Sequence, residues 1–131
     1  MPGENKTLVW PVLAYEDAPA GIRFLVNAFG FQENVVYPGE TPDVVLHAEL
    51  LWPEGGGVML GSASVGEGHA IRPGGCAVYL VTSTPDELFD QAVAGGAEVV
   101  VAPEDKDYGA RGFTVRDPEG NEWSFGTYAG G

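Results

Sequence analysis

At 131 residues, 44% hydrophobic and 19% charged, the chain is long enough for one domain with a real core and has a globular balance. Nineteen acidic residues against six basic ones give a net charge of −13. That argues against nucleic acid or an anionic membrane as partner and favours a cationic ligand at long range; solubility alone is the plainer reading. No apolar run approaches the ~20 residues of a membrane span. The start, Met1-Pro2-Gly3-Glu4, is not a signal peptide, and the single Cys76 excludes an internal disulfide, so a cytoplasmic location is expected.

In chain order, Leu8 to Tyr15 reads as a strand on Val9, Val12 and Leu13. Asp17 offers an N-cap and Pro19 sits in the first helical turn, where a missing N–H costs little. Ile22, Leu25, Val26 and Phe29 fall at i, i+3, i+4 and i+7, one stripe of a short amphipathic helix that Gly30 stops. Three strands follow, from Phe31 to Tyr37, from Val44 to Trp52 and from Gly57 to Ser64, the last two joined by Gly55-Gly56-Gly57. Residues 66–75 hold four glycines and a proline and read as the loop between two halves.

The second half repeats the order. Cys76 to Val81 is a strand. Thr84-Pro85-Asp86-Glu87 has the pattern of a capping box, and a helix runs from it to Ala94 with Leu88, Phe89, Ala92 and Val93 inward. Glu98 to Ala102 is a strand, and a hairpin closes the chain. Its turn is Asp117-Pro118-Glu119-Gly120, with an acceptor first, a proline that pre-sets φ, and a closing glycine: a type I turn. Beyond it Trp123, Phe125 and Thr127 share one face, and Glu122, Ser124 and Gly126 the other. Strand–helix–strand–strand–strand thus occurs twice in a single domain, residues 1–131, as module one (about 8–65) and module two (about 75–128).

The Asp117-Pro118-Glu119-Gly120-Asn121 turn followed by Trp123-Ser124-Phe125-Gly126-Thr127 resembles the closing hairpin of the vicinal oxygen chelate superfamily of glyoxalases, bleomycin-resistance proteins and extradiol dioxygenases. Pro103-Glu104-Asp105 and Tyr108-Gly109-Ala110-Arg111 fit the same pattern, and the likeness runs in order from Val9 to Tyr128. It implies an α+β fold of two βαβββ modules, a curled mixed sheet around a cavity with helices on its outer face, and a homodimer.

Enzymes of that superfamily use four metal positions, two per module. Counted from the nearest landmarks, these fall on Trp10, Leu60, Cys76 and Ser124, with Leu60 uncertain by one residue. None is His, Glu or Gln, and Met59 and Gly61 beside Leu60 do not rescue the set. No metal and no other cofactor is expected. The chain resembles the branch that binds a ligand unchanged, as bleomycin-resistance proteins do.

Other residues bear on the ligand. His47 and Glu49 share one face of a strand, as an acid–base pair, half of a metal site, or a solvent-facing polar pair. His69 lies in the glycine-rich loop. Cys76 has no basic neighbour in sequence and reads as a small buried hydrophobe. The resemblance turns Trp10 toward the cavity, either to stack on a flat ligand or to fill the space of a metal. Tyr108 and Arg111, before the last hairpin, would cover the mouth or meet a partner chain. The expected function is metal-independent binding of a small molecule, such as a bulky aromatic or cationic antibiotic sequestered for self-resistance. The ligand-binding set is Trp10, His47, Glu49, Leu60, Cys76, Tyr108, Arg111 and Ser124, with no catalytic residue. The alternatives are a glyoxalase-like lyase, isomerase or dioxygenase with an atypical metal site, and a structural dimer without a ligand.

Overall fold

A computed structural model describes residue 7, residues 9–65 and residues 72–130. Its elements run β1 (Val12–Tyr15), α1 (Ala18–Phe24), β2 (Gln32–Pro38), β3 (Val45–Leu51), β4 (Gly57–Ser62), β5 (Ala77–Val81), α2 (Pro85–Ala94), β6 (Glu98–Asp105), β7 (Arg111–Arg116) and β8 (Glu122–Gly126). A π-helical turn, Leu25–Phe29, extends α1, and a 3-10 turn, Ala63–Val65, follows β4. No described helix is long and apolar enough to cross a membrane.

The first strand is shorter than expected. Pro11 has no N–H for the ladder, so contact with β4 opens at the Pro11 carbonyl, which accepts from Met59 N at 2.9 Å. Leu8, Gly66 and His69 lie outside the described residues. Asp17 caps α1 by accepting from Ala20 N at 3.1 Å, and Gly30, at φ 88°, takes the left-handed turn that ends the helix. The stripe holds: Ile22, Leu25 and Phe29 are buried and Val26 packs against them. At α2 the capping box does not form. Thr84 occupies the N-cap without a side-chain bond, and its own N–H is satisfied by Thr82 Oγ1 at 3.2 Å rather than by Glu87.

The strands form two four-stranded mixed sheets, β1-β4-β3-β2 and β5-β8-β7-β6, with β1/β4 and β5/β8 parallel. Each sheet turns one face to a common core that also receives both helices. Phe29 meets Trp123 and Phe125 at ring-centroid distances of 5.4 and 4.8 Å, and Phe31 meets Trp52 and Trp123 at 5.2 and 5.8 Å. Gly95 lets the end of α2 touch the π-helical turn: a Cβ there would sit 2.6 Å from that of Ala28. The closing turn ties the modules together. Tyr15 Oη donates to Asp117 Oδ2 at 2.7 Å, and the Glu119 carboxylate accepts from Glu16 N and Asp17 N at 2.7 and 2.9 Å. Expected helix coverage of one face per sheet is therefore found, but the sheets do not close round a single cavity.

Candidate functional site

The face of each sheet opposite the core is open and carries its own recess. On β4 the alternation is regular: Val58, Leu60 and Ser62 are buried, while Gly57, Met59 and Gly61 are half-buried. Parallel pairing sets Val12 beside Met59 and Ala14 beside Gly61, and β3 adds Glu49 beside Met59. These strands form a recess of about 260 Å³ whose wall includes Val12, Ala14, Leu46, His47, Met59 and Gly61. Apolar side chains dominate it, and Val12 and Leu46 are 47% and 54% exposed.

Its polar side chains among the described residues are His47 and the buried Ser62, whose Oγ accepts from Val45 N at 2.8 Å. The His47 Nε2 atom lies 2.9 Å from Glu49 Oε2, Asn34 Nδ2 donates to Glu49 Oε1 at 3.1 Å, and the imidazole stacks on Tyr37 at 6.1 Å and 27°. The bond from His47, then that from Asn34, holds the Glu49 carboxyl below its ordinary range, so it is ionised and accepts. That assigns the Nε2 proton to the Glu49 bond and leaves Nδ1 with a lone pair when the ring is neutral.

The second recess, about 170 Å³, lies on module two and includes Tyr79, Lys106, Tyr108, Arg111, Thr114 and Ser124 in its wall. Ser124 and Thr114 face each other across the β7/β8 ladder with hydroxyls 2.7 Å apart. Gly112 and Gly126 are paired in the same ladder, and a Cβ on Gly126 would meet the Tyr79 hydroxyl at 2.8 Å, so glycine keeps this floor low. Tyr79 Oη donates to the Tyr128 carbonyl at 2.7 Å, and the Tyr128 ring meets Tyr108 edge to face at 5.3 Å. Arg111 is committed elsewhere: Nε and Nη2 donate to Asp86 at 2.9 Å each and Nη1 to Asp105 at 3.2 Å. It anchors the start of α2 to β6 and β7, and only part of it borders the recess.

The eight ligand-binding candidates therefore separate. His47 and Leu60 border the module-one recess, with Glu49 behind His47; Tyr108, Arg111 and Ser124 border the module-two recess. Leu60 is 2% exposed and belongs to the core, so the open face at that level is Met59 and Gly61. Trp10 borders neither recess; its ring lies against Gly57, where a Cβ would meet it at 2.8 Å. Cys76 precedes β5, borders neither recess, and has its thiol pushed up by burial. Met59, Gly61, Tyr79 and Thr114 were missed. The period-2 signal that buries Leu60 and Leu80 also turns Met59 and Tyr79 the other way.

The four positions that the resemblance offers for a metal do not make a donor set. Leu60 has no donor, Trp10 and Cys76 stand away from both recesses, and Ser124 is engaged with Thr114. Among the described residues no three His, Cys, Asp or Glu side chains converge.

Residues 7–125 match the family model described as Glyoxalase/Bleomycin resistance protein/Dioxygenase superfamily. An uncharacterised protein of Mycobacterium tuberculosis is 37% identical over 123 residues, 88% of this chain and 71% of that one. The crystal structure of TioX from Micromonospora sp. ML1 superposes with a TM-score of 0.73 at 33% identity, covering 90% of this chain and 97% of that one. A glyoxalase/bleomycin resistance protein from a Streptomyces species shares the fold, with a TM-score of 0.64 at 20% identity over 87% and 94% of the two chains.

Proposed function

The chain belongs to the Glyoxalase/Bleomycin resistance protein/Dioxygenase superfamily, and from that premise we propose that it is a metal-independent small-molecule binding protein working as a homodimer. One observation carries this reading: each open sheet face holds a partly apolar recess with a few hydrogen-bonding groups, and each recess is walled by one module alone. Such half-recesses suit a ligand held between two copies. The four superfamily metal positions offer no donor set, so the reading includes no step through a metal. The net charge of −13 favours a cationic ligand, and the tyrosines and apolar strand residues favour a flat one. Sequestration of a bulky aromatic or cationic antibiotic, within the cytoplasm, fits these features.

A thermal-shift screen of aromatic antibiotics tests the reading. A stabilising compound should come back from the complex unchanged by mass spectrometry. Elemental analysis should find well under one equivalent of Zn, Ni, Fe or Mn, and chelator should leave the melting temperature where it was. Turnover of the compound, together with stoichiometric metal, would establish the lyase, isomerase or dioxygenase alternative instead.

A further inference from the structure

We infer that His47 selects ligands carrying a weakly acidic hydroxyl on a flat apolar body, by accepting that hydroxyl's proton in a hydrogen bond to Nδ1. The inference rests on the binding reading above and adds the chemical class that the module-one recess takes. Three observations lead to it. His47 is the titratable side chain in the wall of a recess otherwise built mainly from Val12, Ala14, Leu46, Met59 and Gly61. Its Nε2 is bound to Glu49 at 2.9 Å, and Glu49 is itself fixed by Asn34 at 3.1 Å, so both the tautomer and the tilt of the ring are set before a ligand arrives. Among the described residues Nδ1 has no partner, while the Tyr37 ring stacked at 6.1 Å holds the imidazole plane.

A carboxylate behind a histidine makes the opposite nitrogen a better acceptor, because it stabilises the positive charge that builds as a proton approaches. The apolar wall strengthens the same bond by lowering the local dielectric. A ligand with only carbonyl or ether oxygens finds no donor in this imidazole, since the Nε2 proton is already used. A hydroxyl donor completes the set.

Two fluorescent probes test this. 2-Naphthol offers a hydroxyl on a flat apolar body; 2-methoxynaphthalene keeps the body and removes the donor. At pH 8, 2-naphthol should bind the parent protein about tenfold more tightly, toward the upper end of what one net hydrogen bond contributes. His47→Phe keeps a flat ring to stack on Tyr37 and should erase the preference, with the ether binding as before. Glu49→Gln, which frees the tautomer, should reduce it. The parent comparison needs no variant, so a misfolded His47→Phe would not spare the inference. Equal binding of the two probes overturns the role of His47 and leaves the recess a binding site. Absence of saturable binding by either probe removes the binding reading of this recess and the inference with it.

Discussion

Asp117 joins the two modules through a buried carboxylate. Its Oδ2 accepts from Tyr15 Oη, Asn121 Nδ2 and Trp123 Nε1 at 2.7, 3.0 and 3.0 Å, and its Oδ1 from Glu119 N and Asn121 N at 3.0 and 3.1 Å. The carboxylate is 4% exposed, so removing it strands buried donors that have no water to turn to. Asp117→Ala should cost about 3–5 kcal/mol in urea unfolding, beyond what loss of a turn residue explains. The sequence marks Asp117 as the leading acceptor of a type I turn, and the turn bond from Gly120 N to its carbonyl is present at 2.9 Å. Its bond to Tyr15 was not legible, because that contact spans 102 residues and nothing local encodes it.

The same contact has a consequence at high pH. Burial, then the charge of Asp117, pushes the Tyr15 phenol well above its ordinary value. An unfolded phenol loses its proton near pH ~10, while the folded one keeps it. Above that pH the unfolded state therefore binds fewer protons than the native state, and stability falls as pH rises. Below it the contribution is complete. Melting temperatures should hold up to about pH 9 and decline from there, and the share of tyrosinate absorbance that is missing in Tyr15→Phe should appear only on unfolding. In Tyr15→Phe the alkaline decline should be shallower; an unchanged decline would assign it to other groups, such as Tyr79, whose phenol burial also raises.

At the scale of elements, the helix starts separate what a motif says from what the chain does. Asp17 was legible as a cap and is one, with Ala20 N at 3.1 Å. Thr84-Pro85-Asp86-Glu87 carries the capping-box residues, yet Thr82 reaches the Thr84 N–H first and Thr84 makes no side-chain cap bond. Thr82 is buried at 2% exposure and Thr84 is exposed, so the site of stabilisation has moved two residues upstream. Thr84→Ala should change stability by no more than ~0.5 kcal/mol, against the ~1 kcal/mol of a true cap, while Thr82→Ala should cost more than Thr84→Ala. Equal losses from both in thermal unfolding would restore the capping box. Strand limits differ for similar reasons of pairing: β6 extends to Asp105 because Glu104 and Asp105 find Gly112 and Arg111 opposite, a partnership that no local propensity signals.

At the scale of the molecule, the repeated strand–helix–strand–strand–strand order predicted two modules, and two four-stranded sheets are present. Placement of the recesses was legible only in part. Period-2 alternation says which strand residues share a face, but not that Phe29, Phe31, Trp52, Trp123 and Phe125 would join both modules in one core. That core occupies one face of each sheet; the sheets do not close, and the two recesses described lie on their other faces.

The proposed homodimer would use those faces. Val12, Leu46, Tyr79 and Tyr108 are 47%, 54%, 50% and 66% exposed beside the two recesses, a large apolar surface for a chain left alone. Setting the module-one face of one copy against the module-two face of another buries both patches and encloses both recesses twice over, a closed two-fold arrangement. The opposing force is charge: each copy carries −13, and like charge repels at low ionic strength. Salt should therefore tighten the dimer, the reverse of an interface built on ion pairs. Light scattering at micromolar protein should give a dimer mass at physiological salt and a shift toward monomer as salt is removed. Leu46→Asp, which adds charge at the module-one recess, should yield a folded monomer. Val100→Asp places the same charge on β6, 39% exposed and outside both recess walls, and should leave the dimer intact. A parent that remains monomeric at every salt concentration, or a dimer broken by Val100→Asp and spared by Leu46→Asp, would rule out apposed recesses and put the interface, if any, on the β6 edge.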